Sequence, residues 1–406
     1  MNGALWERRP LGRCAKFLSG GTPSKGRSEF WEGDIPWVSS GEMTETRIDD
    51  TPLHITAEGA EEGSRIVPAN TVLAVVRGMS LAKEFRVAIT KREMAFNQDL
   101  KAFACERDVD PEFLLYALIA RRKHIRELAT EASHGTKKLE TDVLADVSIL
   151  LPKPDIQRRV VEIVSAYDDL IENNRRRMEL LEEAARQLYR EWFVRLRFPG
   201  REHTRIVNGV PEGWTRNYIG EVADCVGGGT PSTAISAYWE DGDVTWVTPT
   251  DVTRNSHFVL LDSEKKITEE GLANSSAKLV ASHAILMTSR ASVGFFAIAE
   301  REVCTNQGFI AVVAHEPAIS SYLLFHLHDR VEEIRAMGSG STYPEVSRGK
   351  FREFEVLIPA HQIVALFAEQ AELILRQIRI LKQQNQKLGA ARDLLLPRLM
   401  SGEIAV

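Results

Sequence analysis

Three observations predict an α+β fold built as two repeated globular domains separated by two long antiparallel helices that form a coiled coil. The chain repeats itself at a shift of about 208 residues. Each copy opens with short apolar, β-branched runs separated by Gly, Pro and Ser, the pattern of a mixed domain and not of a purely parallel sheet. Each copy then closes with a long apolar stripe at heptad spacing, which a solvated helix buries against a partner stripe.

The repeat is visible residue by residue. Trp6 aligns with Trp214, the GGTPS of Gly20–Ser24 with that of Gly228–Ser232, and Trp31 with Trp239. One place further out of step, Trp37 meets Trp246 and Asn97-Gln98 meets Asn306-Gln307. The run VSILLP ending at Pro152 matches FEVLIP ending at Pro359, and AARQL from Ala184 matches AARDL from Ala390. The resulting segments are a first globular domain over 1–152, a long helix over 153–196, a linker over 197–213, a second globular domain over 214–359, and a long helix with its tail over 360–406.

Within the first domain, strands are expected at Ile35–Ser39, Thr71–Val76, Phe85–Thr90 and Leu100–Cys105, followed by one helix from Pro111 to Ala129. The second domain reads alike: Val244–Val247, Ala284–Thr288, Gly294–Ala299, Gly308–Val313, and a helix from Ser320 to about Met337. The first long helix, from Asp155 to Phe193, carries Ile156, Val160, Ile163, Tyr167, Leu170, Asn174, Leu181, Leu188 and Trp192 on 4,3 spacing. In the second, Ile363, Leu366, Phe367, Leu373, Ile374, Ile380, Leu381, Leu388, Leu394 and Leu395 do the same beside a polar line of Gln370, Gln377 and Gln384. Each would extend roughly 55–60 Å at about 1.5 Å per residue.

Composition narrows the function. With 44% apolar and 27% charged residues, disorder, collagen and a disulfide-stapled miniprotein are excluded. No window approaches 18 uninterrupted apolar residues and no apolar leader core follows the N-terminus, which points to the cytoplasm and away from a membrane. Cys14, Cys105, Cys225 and Cys304 stand far apart without CxxC spacing, so neither a zinc site nor a disulfide frame is indicated. No Walker loop, strand-GxGxxG-helix element, NPPY tetrapeptide, nucleophile elbow or HExxH occurs. One loose acidic set, Asp251, Glu264 and Lys266, has the residue types of a metal-dependent nuclease, carboxylates for the ion and a lysine beside them, but no counterpart in the first copy.

The duplicated W…LG…GGTPS openings, the VPEGW linker (Val210–Trp214), the heptad helices and the LLLPRLMSGEI tail together resemble the DNA sequence-specificity subunit of type I restriction-modification systems. The resemblance covers essentially the whole chain. It implies two target recognition domains, each reading one half of a bipartite double-stranded DNA sequence, held by a helical spacer. That spacer would dock two methyltransferase subunits and restriction motor-nuclease subunits. It further implies no catalysis and no cofactor in this chain, with S-adenosylmethionine, and ATP and Mg for restriction, in the partners. The competing readings are the nuclease just described and a two-domain protein-binding scaffold.

On that reading the candidate DNA contacts are Thr22, Ser24, Lys25, Arg77, His134, Lys137 and Lys138 in the first domain. Those of the second are Thr230, Ser232, Arg290, Thr342, Tyr343, Arg348 and Lys350. GGTP reads first as a tight turn whose glycines take positive φ, and only then as a direct DNA contact. Asn97-Gln98 and Asn306-Gln307 read as strand bridges or as adenine readers, and the four tryptophans as core. Tyr189, Trp192, Phe193, Leu395, Leu399 and Met400 either cover the domain ends or receive a partner subunit. The net charge of −6 runs against a DNA partner, and the acid concentrates in the second domain, where residues 209–357 hold 12 basic and 20 acidic side chains. A chain of this charge is expected to bind DNA weakly alone and tightly once basic partners share the phosphate neutralisation.

Overall fold

The computed structural model describes residues 6–132, 135–339 and 344–406. They form two compact units: the chain up to Leu170 together with Leu388–Val406, and Ile171–Lys387.

In the first unit a five-stranded sheet runs in the order Ala15–Ser19, Leu100–Cys105, Val72–Val75, Val87–Thr90, Arg47–Ile48, antiparallel except for its last pair. A second sheet orders His54–Ile55, Ile35–Val38, Met94–Phe96 and Ile66–Val67. The helix Pro111–Ala120 is buried almost all round, with Phe113, Leu114, Tyr116 and Leu118 in the core. That agrees with its lack of a polar stripe. Asp110 caps it by accepting from the Phe113 amide, and Pro111 takes the first helical position, where a missing N–H costs nothing.

The second unit repeats this topology. Its five-stranded sheet orders Ala223–Gly227, Phe309–Ala314, Ile285–Thr288, Phe296–Ala299 and Val259–Leu260, again with a parallel last pair. The smaller sheet orders Lys265–Ile267, Val244–Val247 and Cys304–Thr305. Both units also pair their opening strand with their closing one, Trp6–Pro10 with Ser148–Pro152 and Thr215–Tyr218 with Glu355–Ile358. Neither opening strand is among those the sequence pattern predicts.

The domain helices depart from expectation by breaking. Pro111–Ala120 stops at Arg121 (φ −107°, ψ 5°) before Arg122–Glu127, and Pro317–Asp329 stops at Arg330 (φ −103°, ψ 24°) before Val331–Ala336. No proline or glycine stands at either break. In the first, the Arg121 amide bonds to the Leu118 carbonyl three residues back, closing the helix in a tighter turn that redirects the chain.

The two long helices are α1 (Pro154–Tyr189) and α2 (His361–Met400). α1 continues into a wider π-turn over Arg190–Val194, where Phe193 enters the second unit's core. Within the second unit α1 and α2 run antiparallel: Asn174 donates to Asn385 Oδ1 at 2.9 Å, while the Tyr189, Trp192 and Phe193 rings gather on Phe367. In the first unit, buried Val160 and Val164 of α1 share a core with Leu396, Leu399 and Met400 of α2. There Asp168 accepts from both Tyr116 and Arg392.

The apolar stripe of α2 does not face one way. Val364, Phe367, Ala371, Leu375, Ile378 and Leu381 are buried, whereas Leu366, Leu373 and Ile380, themselves seven residues apart, are exposed, as is Leu394. Two apolar lines share one helix, and the sequence pattern merges them.

Polar side chains fasten the helices to the second domain. Glu182 of α1, nearly buried, accepts from the Phe258 amide at 2.7 Å and pairs with Arg186. Lys382 of α2 donates to the Val259 carbonyl at 2.6 Å and to Asn255 Oδ1, and burial lowers its pKa to about 8.

Candidate nucleic-acid interface

Each domain presents the same rigid loop. Neither the Gly20-Gly21 nor the Gly228-Gly229 pair takes a positive φ, contrary to the turn expected from the sequence. Glycine is required by close approach instead. A Cβ on Gly20 would lie 2.1 Å from the Phe96 carbonyl oxygen, and one on Gly228 2.1 Å from that of Asn306. Gly21 and Gly229 are as crowded, at 2.3 Å from the Gly63 oxygen and 2.2 Å from Ser276 Oγ.

Tryptophans hold each loop from beneath. Trp37 and Trp246, both 5% exposed, donate from Nε1 to the Gly21 and Gly229 carbonyls at 3.0 and 2.9 Å. Trp31 and Trp239 donate to the Ser24 and Ser232 carbonyls at 3.2 and 3.1 Å. The partners in each pair meet edge to face at 5.1 and 5.0 Å between ring centroids. Expected as core, these rings also bind the loop through their N–H groups, as buried indoles must.

The Asn-Gln pair is the other clamp. Thr22 donates to Gln98 Oε1 at 2.7 Å and Thr230 to Gln307 Oε1 at 2.6 Å, while Asn97 and Asn306 accept through Oδ1 from the amides of Asp99 and Gly308. The bridging reading thus has a concrete geometry. The threonine hydroxyls give their protons to the glutamine oxygens and so have only lone pairs left to offer; Ser24, Lys25 and Ser232 are exposed, with no side-chain partner among the described residues.

The same turn positions the arginine that follows the sheet. Val76 and Arg77 donate their amides to the Asp99 carbonyl, and Ser289, just before Arg290, donates to that of Gly308. Arg77–Gly78 then pairs with Lys137–Lys138, which pairs in turn with Thr130–Glu131, forming a three-stranded ribbon. Three candidate residues from separate stretches come together: Arg77 stands opposite Lys138, and Lys137 opposite Gly78. In the second domain Arg290 stands opposite Glu345 and Ser339 also bridges to Glu345. Leu139 and Val346, one residue on, donate to Val76 and Ser289 in matching fashion. Arg77 and Arg290 are therefore structural equivalents, despite a local shift of 213.

Electrostatically the ribbons differ. Arg77 and Lys137 have no acidic partner among the described residues, and Lys138 pairs with Glu140 at 2.8 Å. Arg290 lies 3.6 Å from Glu345. Lys350 is committed to the Met337 carbonyl at 2.7 Å, and Arg348 opens the short helix Arg348–Arg352 on the surface. His134, Thr342 and Tyr343 lie outside the described residues. Met79, 74% exposed at the tip after Arg77, is not singled out by sequence reasoning; an apolar residue in a loop leaves no periodic signal.

The remaining candidates are placed as follows. Tyr189 and Phe193 are buried in the second unit's core, and Leu399 and Met400 in the first's, where their own chain covers them. Trp192 and Leu395 stay partly exposed. The nuclease-like set is tied up locally. Asp251 Oδ2 accepts from the Thr248 amide and hydroxyl, its Oδ1 accepts from the Glu264 amide, and Lys266 pairs with Asp262 at 2.7 Å. Asp251 therefore serves as a helix cap and Lys266 as the partner of a third residue, which removes the motive for that reading. Among the described residues no group of three or more His, Cys, Asp and Glu could hold a metal ion, and no helix is long and apolar enough to cross a membrane.

Two copies of one scaffold, each holding a rigid loop beside an arginine-tipped ribbon, define a duplicated recognition protein. The family model for the type I restriction modification DNA specificity domain matches twice, over residues 4–183 and 211–390. The chain belongs to that family. It is 26% identical to the MjaIX type I restriction enzyme specificity subunit of Methanocaldococcus jannaschii, across 99% of this chain and 94% of that one. A type I restriction enzyme specificity subunit of Escherichia coli is 32% identical over 40% of this chain and 41% of its own. Among solved structures, the S subunit of a type I restriction-modification system from M. genitalium has the same fold, with a TM-score of 0.59 at 15% identity over 98% of this chain and 97% of that one. The function that follows is that of a DNA sequence-specificity subunit of a type I restriction-modification system.

Proposed function

We propose that each domain reads one half of a bipartite duplex sequence, with the glycine loop and the arginine ribbon as the DNA-facing elements, and that the chain carries out no chemistry itself. The observation that carries this reading is the duplicated platform: the same loop, clamped by the same Trp and Thr–Gln bonds, beside the same arginine. Rigid loops with outward hydroxyls and amides suit phosphate contact and register, while arginine and lysine side chains reach base edges. Ser24, Lys25, Arg77, Lys137 and Lys138 are the contacts we favour in the first domain, with Ser232, Arg290 and Arg348 in the second. Thr22 and Thr230 would act as acceptors.

Catalysis would then lie with partner subunits in the cytoplasm: two methyltransferase subunits using S-adenosylmethionine, and restriction subunits using ATP and Mg. The outward line Leu366, Leu373 and Ile380 of α2, together with the 71% exposed Leu180 of α1, is where we place the methyltransferase contact. Apolar groups at heptad spacing suit a helix-in-groove or helix-on-helix partner.

The test is to express the chain with a cognate methyltransferase subunit and to map methylated bases by single-molecule sequencing. One bipartite motif is expected. Exchanging residues 1–152 for those of another family member should change one half of it only, and an exchange that alters both halves refutes the one-domain, one-half assignment. Adding a heptad to each long helix should change the gap and leave the halves intact.

A further inference from the structure

We propose that Met79 is a base-reading residue of the first domain, recognising a thymine C5-methyl in one half of the target by apolar contact. The inference rests on the reading that this domain binds DNA, and concerns which side chain discriminates.

Exposure alone would not carry it, since single apolar side chains are common on surfaces. The setting of Met79 is what distinguishes it. It follows Gly78, whose φ of 134° suits glycine and turns the chain sharply after Arg77. Gly78 is paired with Lys137, and Arg77 with Lys138, so the methionine follows a ribbon that carries two cations, Arg77 and Lys137, without an acidic partner among the described residues, and a third, Lys138, paired with Glu140. Through the amides of Val76 and Arg77 the tip is anchored to the Asp99 carbonyl, adjacent to the Gln98 that clamps the glycine loop. An apolar side chain is thus presented 74% exposed on an anchored tip, flanked by groups suited to the phosphates on either side of a base pair. In the major groove the feature that apolar groups read is the thymine methyl. The unbranched, polarisable thioether adapts to such a contact.

The second domain supplies an internal contrast. Arg290 is followed by Ala291, also at positive φ (62°), and then by Ser292. The backbone device recurs, a positive-φ position after the arginine, while the residue that follows changes from an apolar side chain to a hydroxyl that donates and accepts. The same place in the two domains therefore reads different base features.

The experiment uses the chain with its methyltransferase subunits, Met79→Ser, Met79→Leu and Ser292→Met variants, and single-molecule sequencing of methylated DNA. Met79→Ser is expected to lower the preference for an A·T pair at one position of one half by roughly tenfold, with the other half unchanged. Met79→Leu, which keeps the apolar surface, should retain the preference. Ser292→Met should alter the opposite half. An unchanged motif in Met79→Ser, loosening of both halves, or equal loosening by Leu and Ser each overturns the proposal. If the unsubstituted complex methylates no bipartite motif, the DNA-reading assignment itself falls, and the role of Met79 with it.

Discussion

The two domains agree in what supports the reading surface and disagree in what the surface carries. Loop, tryptophan pair and Thr–Gln bond recur within about 0.1 Å in their hydrogen-bond lengths, whereas the residue opposite the ribbon arginine is Lys138 in one copy and Glu345 in the other. At this surface, divergence after duplication has been absorbed by exposed positions, because the buried tryptophans and crowded glycines that hold the loop leave no room for it. The cores differ too. The second domain buries His257 and His326, held neutral by desolvation with pKa values lowered to about 4 and about 3. For His326 a nearby charge adds to burial: the Arg330 guanidinium lies 3.2 Å from Nε2, and the Tyr189 oxygen lies 2.8 Å from Nδ1. A second proton would confront a guanidinium.

The largest test of sameness is Trp37→Ala against Trp246→Ala. Each should cost about 3–5 kcal/mol, confined to its own domain, as read by amide hydrogen exchange in the full chain. Unequal costs would show that the two platforms are not energetic equivalents.

Acid should separate the domains. A folded-state pKa below the ordinary histidine value means stability is present above about pH 6.5 and lost as pH falls toward 4 and 3. At pH 5 each of the two buried histidines should cost the second domain about 2 kcal/mol. Exchange at pH 5 and pH 8 should show its core amides losing protection first, and His326→Gln should blunt the effect. Equal loss in both domains would break the contrast.

Smaller effects concern charge and the clamps. Glu345→Lys removes the anion facing Arg290 and should steepen the salt dependence of DNA binding by the assembled complex by roughly one unit of log–log slope, an effect measurable by titration at several salt concentrations. Arg77→Ala should flatten it by a similar amount. Thr22→Val and Thr230→Val should each cost about 1 kcal/mol by removing one hydrogen bond, with equal shifts in melting expected.

Much of this organisation is legible in the amino-acid sequence. The repeat, the heptad helices and the longer inner strands of each sheet announce themselves through long spacings and local patterns, whereas two-residue strands such as Arg47–Ile48 and Ile66–Val67 do not, and Trp37, Trp246 and the Asn-Gln pairs are marked by aligning the two copies. The ribbon is not legible as a unit, because its strands are two residues long and join Arg77 to Lys138 across 61 positions. Such pairs have no periodicity of their own. The two faces of α2 merge in the pattern because Leu366 and Phe367 are neighbours in sequence that meet opposite fates, one exposed and one buried. The opening strands Trp6–Pro10 and Thr215–Tyr218 carry several charged or polar residues and form only because the closing strands Ser148–Pro152 and Glu355–Ile358 offer them partners.

The crowding at Gly20, Gly21, Gly228 and Gly229 also tells a protein engineer where variation is permitted. With backbone or side-chain atoms 2.1–2.3 Å from where a side chain would begin, these four positions belong outside any randomised library. The exposed tips at Ser24, Lys25, Met79, Ser232 and Ser292 stand on the same frames and can be varied without disturbing them. A combinatorial search for new recognition sequences would thus begin with a handful of codons in each half of the gene, each half screened separately.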